Sequence, residues 1–152
     1  MYDETANQLS ENFRREEFEK EGPMPEECVP AFQFLSENIL EPIRAQFGEP
    51  MDVTSGYRTP EGNADAHGNA HSEHVATADY CAADWIDPGA HDLRQIFDWI
   101  RLQSGLPFHH VTLEHGAASD VIHISWNRNA TERLAKEGAT HNATGYIDWT
   151  VA

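Results

Sequence analysis

Lysine is almost missing from this chain. Lys20 and Lys136 are two of only 10 basic residues, set against 26 acidic ones, and the net charge is −16. Such a balance repels duplex nucleic acid, so nucleic-acid binding is not expected. An acid-rich, lysine-poor surface suits a halophilic setting, where high salt screens self-repulsion; the alternative reading of the same surface is ordinary solubility. Cysteine is scarce as well. Cys28 and Cys81 are too few for a disulfide scaffold. No apolar run approaches the length of a membrane span, so no membrane partner is expected. The first 20 residues, MYDETANQLSENFRREEFEK, carry no basic segment followed by an apolar stretch, so no classical signal peptide is expected, with export by another route or release by lysis left open. The expected location is therefore the cytoplasm until lysis, or a virion. Internal repeats and low-complexity tracts are also lacking.

What is present fits one domain with a real core in 152 residues. Residues 1–22 read as a charged arm or short helix anchored by Phe13 and Phe18. From Pro25 to Phe47, Val29, Phe32, Leu35, Ile39, Ile43 and Phe47 recur at helical steps and predict one apolar stripe. Pro42 should kink or split that helix, and Gly48 should end it. MDVTS (51–55) reads as a strand, 60–74 as a loop and 75–86 as a buried strand. A second helix is predicted from about Gly89 to Gln103, followed by strands at 110–114 and 121–126. The stretch TGYIDWTV places Ile147, Trp149 and Val151 on one face of a candidate edge strand. The expected class is α+β, with helices packed on one antiparallel sheet. Residues 1–126 form the main domain and 127–152 a C-terminal extension.

Three segments carry chemistry. SEH places His74 between a flexible loop and a buried strand. In VIHISW, alternation turns Ile122 and Ile124 to one side and Val121, His123 and Ser125 to the other. Two imidazoles from separate segments suit zinc, whose catalytic sites use three protein ligands and leave a fourth position open. Asp120, three residues before His123, places a carboxylate near such a metal; its structural alternative is a turn cap. In SGYRTPEGN (55–63), Arg58 follows a strand and precedes Pro60. It is suited to capturing a carboxylate, and equally to a structural ion pair. His67 and His71 are candidates to line a cleft, while His91, His109, His110, His115 and His141 read as structural or solvent-facing.

SGYR-x-P-x-x-N, then S-x-H, then a small-residue strand, then D-x-x-H-x-S together resemble the zinc D-alanyl-D-alanine carboxypeptidases and L-alanyl-D-glutamate endopeptidases. ILEPIRAQFGEPMDVTSGYR and SGLPFHHVTLE resemble them too, and the likeness covers roughly residues 9–126. These bacterial and phage peptidases share a fold with the hedgehog signalling domain. The resemblance implies that His74 and His123 bind Zn2+, that Asp120 is the general base, and that Arg58 binds a substrate carboxylate. Water activated on the metal would attack an amide of a peptidoglycan stem peptide. The family pattern S-x-H-x-x-G-x-A-x-D is not kept. Counted without gaps, its glycine is Thr77 and its aspartate is Cys81. The third ligand is then Cys81 itself, Asp84 if three residues are inserted, or Asp79 on the face of Cys81. Asp84 faces away from Cys81 in a regular strand, so that choice requires a bulge.

Two functions are compatible with this reading. One is a zinc peptidase of cell-wall peptides. The other is a non-catalytic, peptidase-like part of a phage tail or capsid, docked to other virion subunits through its C-terminal strand.

Overall fold

The computed structural model describes residues 7–48, 50–65, 72–87, 92–139 and 145–152. His67, His71, His91 and His141 lie outside the described residues, as does the expected start of the second helix at Gly89.

The apolar stripe of 25–47 folds as one continuous helical run. It comprises α1 (Val29–Leu35), a π-helical turn (Ser36–Leu40) and α2 (Glu41–Phe47). Phe32, Leu35, Ile39 and Ile43 are all buried along it. Proline has no N–H to give the helical ladder, and the π turn sits immediately before Pro42. The run is thus adjusted at that point rather than split. Gly48 ends it at φ 66°, and its N–H donates to Arg44 O at 2.8 Å.

The expected loop at 60–74 begins with a short helix, α3 (Pro60–Asp65). Pro60 supplies a helical φ, and Thr59 Oγ1 accepts from Gly62 N–H at 2.9 Å. The strand expected at 75–86 starts only at Tyr80. Residues 73–79 are turns and bends, with Thr77 N–H donating to Tyr80 O at 3.0 Å. The last helix, α4 (Leu93–Leu102), is capped by Asp92, whose side chain accepts from Arg94 N–H at 3.0 Å.

Six strands make one sheet: β1 (Asp52–Ser55), β2 (Tyr80–Ile86), β3 (His110–His115), β4 (Asp120–Asn127), β5 (Leu134–Ala139) and β6 (Ile147–Trp149). Their order is β1-β2-β4-β3-β5-β6. The sheet is mixed rather than wholly antiparallel, because β5 runs parallel to β3. Among the described residues, no helix is long and apolar enough to cross a membrane.

Strand alternation gives the sheet two distinct faces. Cys81, Ala83 and Trp85 of β2, Ile122 and Ile124 of β4, and Val111 and Leu113 of β3 turn towards the helices and are buried in one core. The opposite face carries a row of cross-strand partners: Asp84, His123, Thr112 and Lys136. Residues 127–152 extend this same sheet through β5 and β6.

Candidate metal centre

Asp84 and His123 are direct partners in the β2–β4 ladder, so their side chains rise side by side from the face away from the helices. His74 joins them from the turn segment before β2. Its Nε2 lies 3.1 Å from Asp84 Oδ1 and 3.2 Å from His123 Nδ1, and His123 Nδ1 lies 2.9 Å from Asp84 Oδ1. Ligands about 2.0–2.1 Å from a tetrahedral zinc stand about 3.3 Å from one another. The triangle therefore has nearly the edge lengths that one zinc requires. Two imidazoles and a carboxylate are also a donor set suited to that metal.

The neighbours of this triangle orient each donor. His74 Nδ1–H donates to Gly56 O at 2.7 Å, which leaves the lone pair of Nε2 facing the cluster. Gly56 is required here by close packing. A Cβ at this position would lie 2.6 Å from Phe18 Cα. The backbone contact holds as well, with Tyr57 N–H donating to Phe18 O at 2.9 Å. Arg58 approaches Asp84 from behind, its Nη2 3.6 Å from Oδ2, while its Nε donates to Glu21 Oε2 at 2.9 Å. Glu21 also accepts from the Ser55 hydroxyl. SGYR thus supplies a carbonyl for His74 and a guanidinium for Asp84.

Charge in the cluster is strongly coupled. Burial works to push the Asp84 carboxyl up, but the two imidazoles hold it far below the usual carboxylate range. Burial would likewise lower His123, yet the hydrogen bond and charge of Asp84, with Glu114 and Glu73 beyond, raise it. The carboxylate and the two imidazoles together offer three donor atoms at one point on the sheet.

The structure separates the three candidates for third ligand. Cys81 is fully buried on the helix side of β2, its thiol pushed well up by that burial, and it does not share a face with the imidazoles. Asp79 lies before β2 and pairs with Arg128 at 3.4 Å. Asp84 stands with both histidines. The bulge that this placement was expected to require is not in the β2–β4 ladder, which is in register from Tyr80 to Trp85. The irregularity falls instead between Val53 and Ser55 on β1. No bulge is needed in β2, because the imidazoles lie on the face of Asp84. The additional residues before it are taken up in the 73–79 turns.

Asp120 is not brought to the cluster. Three residues along a strand reverse the side-chain direction, so Asp120 shares the face of Ile122 and Ile124. It lies 3.2 Å from His115 Nδ1 and is half exposed. His115 Nε2 in turn meets Glu137 Oε2 at 2.7 Å, and Glu137 also binds Arg94 and Trp149.

Several neighbours escape a reading of the motifs. Glu73, beside His74, accepts from Ser125 Oγ at 2.8 Å, from Asn127 Nδ2 at 3.0 Å and from His109 Nδ1 at 2.9 Å. Glu73, His109 and His110 also offer donor atoms within 4.8 Å of one another. The Glu73 oxygens already have these partners, and the network clamps the His74 segment onto β4. Burial, with His109 alongside, lowers His110 to about 4. Glu114 is the second residue missed. It is in register with Val121, one same-face step along from the Thr112–His123 pair. Its signal was the parity of HVTLEH, readable once His123 is known to oppose Thr112.

Two comparisons bear on this arrangement. A family model described as Peptidase M15 matches residues 11–125, a span that contains His74, Asp84, His123, Arg58 and Glu114. No curated protein matches the chain. The family match covers most of the described sheet and every residue of the cluster, and on it we conclude that this chain belongs to the peptidase M15 family.

Proposed function

We propose that this protein is a zinc-dependent peptidase that cleaves peptidoglycan stem peptides, with His74, Asp84 and His123 as the metal ligands. The observation that carries this reading is the triangle of three donor atoms, each 2.9–3.2 Å from the next, on one face of the sheet. When bound there, zinc supplies a Lewis acid that activates water and polarises a scissile carbonyl.

The remaining roles fall to the chain's own groups. Gly56 O fixes the tautomer of His74, and Arg58 steadies the outer oxygen of Asp84. Arg58 also carries the positive charge that a substrate carboxylate would seek, in competition with Glu21. A carboxylate must accept the proton of the attacking water. Glu114 is our choice for this role, because it stands on the ligand face. Asp120 is the alternative that the D-x-x-H spacing suggests.

The test is release of peptides from purified peptidoglycan by zinc-loaded protein. Release that is abolished by a chelator and by His123→Ala supports the reading. Zinc-loaded protein that releases nothing defeats it.

One observation favours a second reading, a non-catalytic virion component. Strand β6 leaves Ile147 59% and Trp149 37% exposed at the sheet edge, a surface suited to strand addition by another subunit. A folded protein that takes up no zinc would support that reading.

A further inference from the structure

The C-terminal segment brings an additional side chain to the metal face. Strand β6 runs antiparallel to β5 with Lys136 opposite Asp148 and Glu137 opposite Ile147. Continuing that register places Tyr146 opposite Gly138. The packing agrees: a Cβ at Gly138 would lie 2.8 Å from Tyr146 Cδ1 and 3.0 Å from Cγ. The ring therefore covers Gly138 on the side where a side chain would point.

That side is the ligand side. Gly138 is in register with Glu114, and Glu114 with Val121. The next row on the same face is Lys136, Thr112, His123 and Asp84. Tyr146 thus stands over the row adjoining the metal ligands, beside Glu114. Burial, with the charges of Glu114 and Asp84, pushes its phenol up to about 12, so the hydroxyl keeps its proton throughout the neutral range.

We propose that Tyr146 is a residue of the active site, a hydroxyl donor that walls the metal face and hydrogen-bonds the peptide substrate there. This rests on the peptidase reading given above. Tyr146 lies beyond the span 11–125 that the family model matches, so on this proposal a segment outside that span contributes to the site. Lone donors aimed at developing negative charge lower turnover steeply when removed, and a phenol that stays protonated can serve as one. Gly138 is the counterpart of this placement, since any larger residue would displace the ring.

The experiment has two readouts on the full chain. In the first, protein labelled with 13C on its tyrosine rings is loaded with Zn2+ or Co2+, and the Tyr146 resonance is identified by its loss in Tyr146→Phe. A paramagnetic shift or broadening of that resonance with Co2+ supports the placement, and an unchanged resonance overturns it. In the second, hydrolysis of a soluble stem peptide is measured for wild type and Tyr146→Phe, with zinc content measured alongside. A kcat lower by roughly tenfold or more, with KM and zinc content unchanged, supports the donor role. Equal activity of Tyr146→Phe and an active wild type overturns the role of Tyr146 alone. A zinc-loaded wild type without activity defeats the peptidase reading and the substrate role with it.

Discussion

Asp84 and His123 face each other across the β2–β4 ladder, with 2.9 Å between Asp84 Oδ1 and His123 Nδ1. A cross-strand pair holds its two side chains in a fixed relation, because the sheet's hydrogen bonds fix both backbones. The third member of the cluster, His74, comes from a turn segment, so its placement depends on what that segment is tied to. It is tied through Gly56 O on one side and through Glu73 on the other.

The first of these ties gives a prediction at Gly56. A methyl group there meets backbone atoms of Phe18, which cannot swing aside as a side-chain tip would. Gly56→Ala should destabilise the fold by about 1–3 kcal/mol and weaken zinc binding through displacement of Gly56 O from His74. Urea unfolding and a chelator competition measure the two effects. Unchanged zinc affinity in a destabilised variant would remove Gly56 from the ligand shell.

Arg58 gives the second. Arg58→Lys keeps the positive charge and loses the planar fork that reaches Glu21 and Asp84 together. Zinc affinity should fall by about 10-fold or more, in the range seen when outer partners of metal ligands are removed. An affinity equal to wild type would show that Asp84 needs no such support.

The proton acceptor is decided by two conservative variants. Glu114→Gln should lower turnover by about 100-fold or more with zinc still bound. Asp120→Asn should leave turnover close to wild type, because its carboxylate belongs to the His115 and Glu137 group. The reverse result would return the role to Asp120.

That same group sets a pH dependence. The hydrogen bond to Glu137 leads the causes that raise His115 above its ordinary value, so its stabilising contribution is complete below about pH 6.5 and is lost as pH rises through the higher folded value. Burial works to raise Glu137, but His115 and Arg94 lower it. Its contribution is therefore present above its ordinary value of about 4.3 and lost as pH falls through the lowered one. The stability difference between wild type and His115→Gln should be largest near pH 6 and shrink towards pH 9. Denaturant unfolding across that range checks it, and a difference that grows with pH would contradict the pairing.

Much of this was legible in the residues. The stripe Phe32, Leu35, Ile39 and Ile43 announced the long helix. The alternation of VIHISW placed Ile122 and Ile124 in the core and His123 on the other face. Strand β5 was missed because LAKEGA has little β preference of its own, and its pairing is imposed by β3. Helix α3 was hidden in a stretch rich in Gly and Asn, although Thr59-Pro60 carried a helix-start signal. Which of Cys81, Asp79 and Asp84 stands beside the two imidazoles could not be read from the sequence, because counting along a chain cannot show that residues 73–79 coil into turns. The resemblance implies Asp120 as general base, and strand parity places it on the face of Ile122 and Ile124, away from His123.

The most direct measurement is zinc stoichiometry by mass spectrometry of native protein, compared across wild type, Asp84→Ala and Cys81→Ala. Wild type and Cys81→Ala should each hold one tightly bound zinc, with Cys81→Ala costing roughly 1–2 kcal/mol of stability as a core truncation, while Asp84→Ala should hold none. Zinc retained by Asp84→Ala, or lost from Cys81→Ala in its folded state, would contradict the centre described here.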